Sequence, residues 1–179
     1  AFDIPDPSRQ ARGRPINNVI PLSANESIST FVVLNNVDDN GYLFMSTKMG
    51  MINKIPVTLF KKIRSTGLKA IVLKPGDELL GAHYTSPNQQ LMLVADNGKA
   101  IRFSEKDVRE RFRGTLGVKG MQLTSNSSLV SILKPNNGEI ITVTENGYGN
   151  RVSVDSYNVQ KRGGVGVISI KTTKRNGKV

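Results

Sequence analysis

The sequence predicts an all-β fold, and three observations carry that prediction. The chain repeats itself about every 50 residues, its apolar runs are short and bounded by turn signals, and helical patterning is scarce. A Gly closes three equivalent hairpin-like stretches, Met49-Gly50, Asn97-Gly98 and Asn146-Gly147. Four residues after each Gly stands a cation, Lys54, Arg102 or Arg151. An apolar residue follows it, Ile55, Phe103 or Val152. A second cation recurs at Arg64, Arg113 and Arg162, with Arg14 one period earlier. Apolar pairs in alternation come next: Ile20/Leu22, Ile71/Leu73, Met121/Leu123 and Ile168/Ile170. Strands at this spacing suit a sandwich, a barrel or a propeller. One unit supplies about four strands, which is the content of a propeller blade.

Along the chain, residues 1–22 read as a polar lead-in, Asp3 to Gln10, and then an extended segment. Pro5, Pro7, Pro15 and Pro21 keep this stretch out of helix. From Ile28 onward the strand candidates are ISTFVVL, YLFMST, MINKIPV, AIVL, ELLGAHYT, QLMLVA, AIRF, VKGMQL, LVSIL, EIITVT, NRVSV and VISIKTT. NG, DNG, PGD, PN and NNG separate them, each a turn signal. The helix candidates are residues 57–63 and 104–112, with Val154 to Val159 in the matching place of the third unit. Ser104, three residues before Asp107, gives a capping-box-like start. Each is expected to be a single turn. The repeats run over 23–73, 74–123 and 124–170, with partial units at both ends. The whole of 1–179 reads as one domain of a longer protein.

The chain has 25 Lys and Arg against 14 Asp and Glu, a net charge of +11. Residues 1–60 hold five of each sign, so the entire excess lies in residues 61–179. Such a surface favours polyanions. On a strand of period two, Lys54, Arg102 and Arg151 point away from Ile55, Phe103 and Val152. They face solvent if those apolar neighbours face a core. Arg64, Arg113 and Arg162 sit in the small-residue stretches RSTG, RGTLG and RGGVG. There, backbone N–H groups can approach a phosphate while the guanidinium binds it bidentately. Lys106, Arg109, Arg111, Arg113 and Lys119 form the densest basic patch, diluted by Glu105, Asp107 and Glu110. Lys171, Lys174 and Arg175 make another.

Other chemistries find little support. There is no cysteine, hence no disulfide framework or thiolate site, which fits a reducing compartment. No apolar run reaches the length of a membrane span. His83 is the sole histidine and reads as structural or exposed. Pro75-Gly76-Asp77-Glu78 reads as a turn rather than a carboxylate dyad. Tyr42, Tyr84, Tyr148 and Tyr157 read as packing residues. Aromatics do not interleave with the basic rows, which disfavours single-strand stacking platforms. No recognition helix is visible. Backbone binding to duplex DNA fits better.

The segments ARGRPINNVIPL, AIRFSEKDVRERFRGTLGVKGMQL, ENGYGNRVSVDSY and GVGVISIKTTKRNGKV resemble the C-terminal domain of the A subunit of bacterial DNA gyrase. The corresponding subunit of topoisomerase IV is a close relative. The resemblance implies a β-pinwheel, a propeller-like ring of four-stranded blades that exchange strands with their neighbours, here a partial ring. It implies duplex DNA wrapped on a basic rim, in support of ATP-dependent negative supercoiling by the type IIA holoenzyme. It places the catalytic residues, ATP and Mg2+ in other domains and in the B subunit of gyrase, so that this part is not itself an enzyme and needs no cofactor. It also implies a bacterial cytoplasmic protein associated with the chromosome. Candidate DNA contacts are then Lys54, Arg64, Arg102, Lys106, Arg109, Arg111, Arg113, Lys119, Arg151 and Arg162. The family's basic-glycine heptad, QRRGGKG-like, would precede Ala1 and is not found within residues 1–179. QKRGGVG at 160–166 looks like it but falls in a later repeat, and is not assigned its role. The rival from another class is a propeller-like scaffold whose basic face docks an acidic protein.

Overall fold

Three hairpins, each turned at a repeat glycine, frame the computed structural model, which describes residues 8–34, 40–64 and 66–179. The strands are β1 (Tyr42–Thr47), β2 (Met51–Pro56), β3 (Ile71–Val72), β4 (Leu79–Thr85), β5 (Gln90–Ala95) and β6 (Lys99–Ser104). They continue as β7 (Thr115–Leu116), β8 (Val118–Lys119), β9 (Leu129–Leu133), β10 (Glu139–Val143), β11 (Gly149–Ser153) and β12 (Val167–Ile168). Gly50, Gly98 and Gly147 turn the hairpins at φ of +82°, +77° and +79°, a region where a side chain is costly. Each donates its N–H to the carbonyl three residues back: Thr47, Ala95 and Thr144. Register is preserved as well, with Lys54 opposite Phe44, Arg102 opposite Met92 and Arg151 opposite Ile141.

A blade does not coincide with a sequence repeat. The first sheet has the order β4-β1-β2-β8, so its hairpin comes from one repeat and its flanking strands from the next. The second sheet, β9-β5-β6-β12, repeats this exchange one unit later. Strand β10 pairs with β11, and β3 pairs in parallel with β7. The exchange is fixed at each turn glycine. Gly50 C=O accepts from the N–H groups of Gly120 and Met121, and Gly98 C=O from those of Ser169 and Ile170. The fold is therefore all-β, with four-stranded blades that swap strands with their neighbours.

The core lies between blades. Phe44 and Ile52 of the first sheet meet Leu91, Leu93, Ile101 and Phe103 of the second. The Phe44 and Phe103 ring centroids are 6.3 Å apart. Met92, Val94 and Ala100 on the second sheet's other face pack with Tyr157, Ile140 and Val152. Met45 and Ile55 on the first sheet's other face pack with Leu59, Phe60 and Ile71. Both faces of these sheets are covered, which is why β5 is buried almost throughout.

Each helix candidate is a single turn, as the sequence predicts, of 3-10 type, at Val57–Phe60, Glu105–Asp107 and Val154–Ser156. Ser104 and Ser153 cap the last two identically, each Oγ accepting the N–H two residues on. AIVL, VKGMQL and VISIKTT yield two-residue strands. ISTFVVL forms no strand. Its counterparts β4 and β9 each pair with the hairpin before them, and residues 8–26 supply only one 3-10 turn, Ile16–Asn18. The lead-in up to Pro7, and Ser65 of RSTG, lie outside the described residues.

Candidate nucleic-acid interface

The second row of cations builds a surface from successive repeats. The loop carrying Arg113 and Gly114 lies on residues 69–70 of the preceding unit, Gly114 donating its N–H to Ala70 C=O at 2.8 Å. One repeat later, Gly163 donates to Gly120 C=O at 2.6 Å, and Gln122 donates to Gly164 C=O. Glycine is required here for two different reasons. Gly114 and Gly163 have φ of +67° and +82°, and a Cβ on Gly166 would lie 2.4 Å from Ala100 C=O. The result is that the Arg113-Gly114 backbone stacks on Lys69-Ala70, and the Arg162-Gly163 backbone on Lys119-Gly120. Arg162 also donates from Nε to Asp107 C=O at 2.9 Å and from a terminal nitrogen to Lys119 C=O at 3.0 Å. Lys69, Arg64, Lys106, Arg109 and Lys119 are exposed, while Arg111, Arg113 and Arg162 are half-buried. Among the described residues, no carboxylate forms an ion pair with Arg113, Lys119 or Arg162.

Sequence reasoning passes over Lys69. The signal is there, because Lys69 follows Arg64 by five residues and Lys119 follows Arg113 by six. One inserted residue hides the match, and the stacking of one loop on the next restores it.

The first row behaves otherwise. The alternation of β2 puts Lys54 in solvent by expectation, yet the residue is only 7% exposed. Its Nζ lies 3.2 Å from Glu105 Oε1, a carboxylate side chain 1% exposed, and 4.1 Å from the centroid of the Tyr42 ring. Arg102 is half-buried and donates to Gln90 Oε1 at 2.6 Å and to the carbonyls of Val154 and Tyr157 at 2.7 and 3.2 Å. Both cations therefore clamp the 3-10 turn of the following unit. The expectation assumes that one sheet face is wet, whereas a blade has neighbours on both faces. Arg151, in the same register, is exposed, with Nε 3.3 Å from Glu139.

Electrostatics around Lys54 extend to Tyr42, whose hydroxyl donates to Glu110 at 2.5 Å. That hydrogen bond, then burial, then the charges of Glu110 and Glu105 push the phenol up to about 12. His83 ties β4 to β9 through Nε2 and Ile132 C=O at 3.1 Å, and burial lowers its pKa. Burial would raise Asp96, yet its bonds to Lys178, Ser127 and the Ser128 N–H outweigh that and leave it lowered. Lys171, Lys174 and Arg175 are exposed along one loop, Arg175 donating to the Tyr148 hydroxyl at 2.8 Å. No group of three or more potential metal ligands occurs among the described residues.

The repeat geometry has a known counterpart. The family model described as DNA gyrase C-terminal domain, beta-propeller, matches residues 41–86, 89–136 and 138–179. The chain belongs to this family. It is 42% identical over 179 residues to the A subunit of DNA gyrase from Salmonella typhimurium and 40% identical to that from Escherichia coli, covering 99% of this chain in each case. It spans about a fifth of the length of these relatives, 20% in both. A solved DNA gyrase A C-terminal domain superposes with a TM-score of 0.83 at 30% identity, covering 94% of this chain and 57% of that one. A solved C-terminal domain of DNA topoisomerase IV gives 0.83 at 29% identity, over 93% and 52%. The three matched segments of the gyrase family each contain one hairpin, β1-β2, β5-β6 or β10-β11, with the flanking strand that follows the first two.

Proposed function

We propose that this chain binds duplex DNA through its phosphates, without reading sequence, and wraps it along the exposed cations. The observation that carries the reading is the stacking of cation-bearing loops from successive units, that of Arg113 on that of Lys69 and that of Arg162 on that of Lys119. A row that recurs once per blade follows a curved surface, and a bent duplex offers phosphates along the same path. Arg64, Lys106 and Arg109 extend the row. Arg111 and Arg151 belong to the proposed contact set at its margins. Lys54 and Arg102 contribute by holding blades together rather than by touching phosphate.

In the holoenzyme this wrapping supports ATP-dependent negative supercoiling by a type IIA topoisomerase in the bacterial cytoplasm. The B subunit and the rest of the A subunit supply strand breakage and ATP hydrolysis with its Mg2+, and no catalytic step is assigned to this chain's own residues. The equal superposition on the topoisomerase IV domain supports a second reading, the same domain in that enzyme. The sequence identity to the gyrase A subunits favours the first.

Ligation of nicked plasmid in the presence of the protein tests wrapping directly. A linking-number shift of one sign, growing with protein added, is the expected result. Affinity should also rise with duplex length until the exposed row is filled. Affinity for duplex that does not depend on length, with no shift in linking number, would favour the scaffold that docks an acidic protein.

A further inference from the structure

Two large apolar side chains stand out on the basic surface. Phe112 is 77% exposed and Ile63 64% exposed. They are repeat equivalents, each directly before an arginine of the second row, in Lys62-Ile63-Arg64 and Arg111-Phe112-Arg113. Neither belongs to any of the three cores. The loop that displays Phe112 is pinned on both sides. Arg111 N–H donates to Lys54 C=O at 2.9 Å, Thr115 Oγ1 to Phe112 C=O at 2.9 Å, and Gly114 N–H to Ala70 C=O. An exposed ring on a pinned backbone, with an arginine on either side in sequence, has no role in folding that the packing reveals. In the third unit the same place is taken by Lys161, which is exposed and charged.

We propose that Phe112 and Ile63 are wedges that enter a base step of the bound duplex and kink it, while the flanking cations hold the phosphates on either side. This rests on the duplex-wrapping reading above and adds to it a means of bending. Inserted apolar side chains partly unstack a step, and pyrimidine–purine steps such as TpA yield most easily. Charge complementarity selects DNA as the occupant, because the apolar tips are flanked in sequence by Arg109, Arg111, Arg113 and Lys62. Two units of the three would kink the duplex, and the third, with Lys161, would grip it without insertion.

The test compares two duplexes of equal length, one rich in TpA steps and one built of A-tracts. The wild-type chain is expected to bind the TpA-rich duplex about 5–10-fold more tightly and to make its thymines hyper-reactive to permanganate. The Phe112→Ala/Ile63→Ala protein should lose both the preference and the reactivity, to within about twofold, and keep the wild-type salt slope and melting temperature. Phe112→Leu should retain most of both. Salt-dependent binding with no TpA preference and no permanganate signal, or a preference that survives in the double variant, would overturn the wedge and leave wrapping intact. Absence of duplex binding at low salt would overturn both readings.

Discussion

The two rows of cations share a period and differ in where most of their members end up, although Arg162 of the second row bonds backbone carbonyls much as Arg102 of the first does. Lys54 and Arg102 turn inward between blades, where a carboxylate and two backbone carbonyls receive them. Arg64, Arg113 and Arg162, joined by Lys69 and Lys119, lie on loops that stack unit upon unit at the surface. The difference teaches that a repeated charge is evidence of a repeated environment, and that the environment has to be found before a role is given. A cation on a hairpin strand is packed by the next blade. On the loop that closes the repeat, Arg64, Lys69 and Lys119 are left exposed, while Arg113 and Arg162 are half-buried, the latter against the preceding unit.

The sharpest way to break this contrast is to remove an inward cation. Lys54→Met leaves Glu105 buried and unpaired, which should cost about 3–5 kcal/mol. Thermal melting should show this as a fall in Tm of roughly 10 °C. Adding Glu105→Gln should restore much of it, because the stranded charge is then gone. Arg102→Ala should come next, at about 1.5–3 kcal/mol, since the carbonyls of Val154 and Tyr157 lose a charged donor. Arg151→Ala occupies the same register in the third unit but breaks only an exposed pair, and should stay within about 0.5 kcal/mol by chemical denaturation. A large loss at Arg151 would erase the distinction between covered and open hairpins.

The smallest effect is a titration. The Tyr42 phenol is raised by its hydrogen bond to Glu110, so the folded state holds that proton more tightly than the unfolded state. The stabilisation is complete below about pH 10, where an unfolded tyrosine is neutral, and is lost as pH rises toward about 12. Absorbance near 295 nm should show Tyr42 ionising late, and Glu110→Gln should bring it earlier.

Much of the architecture is legible in the sequence because the turns are local. Gly50, Gly98 and Gly147 mark hairpins by a requirement for positive φ, and Ser104 announces its own cap. Strand exchange is not legible from periodicity, since a repeat boundary in sequence need not be a blade boundary, and the family resemblance alone supplies it. ISTFVVL shows the limit of apolar runs, which become strands only where an edge accepts them. Alternation correctly separates Lys54 from Ile55 onto opposite faces. It does not say that both faces are covered, because that depends on a neighbouring blade. Lys69 escapes notice through a single inserted residue, and its place against the Arg113-Gly114 backbone is visible only once one loop rests on the other.

The most direct test of the central claim is the salt dependence of duplex binding. It should be measured for wild type and for a protein carrying Gln at Arg64, Lys69, Arg113 and Lys119 together. Each phosphate that is no longer neutralised should reduce the slope of log K against log salt by about 0.9, so the four changes should flatten it by up to about 3–4 with little change in Tm. An unchanged slope in a fully folded quadruple variant would contradict the assignment of the outward row to DNA.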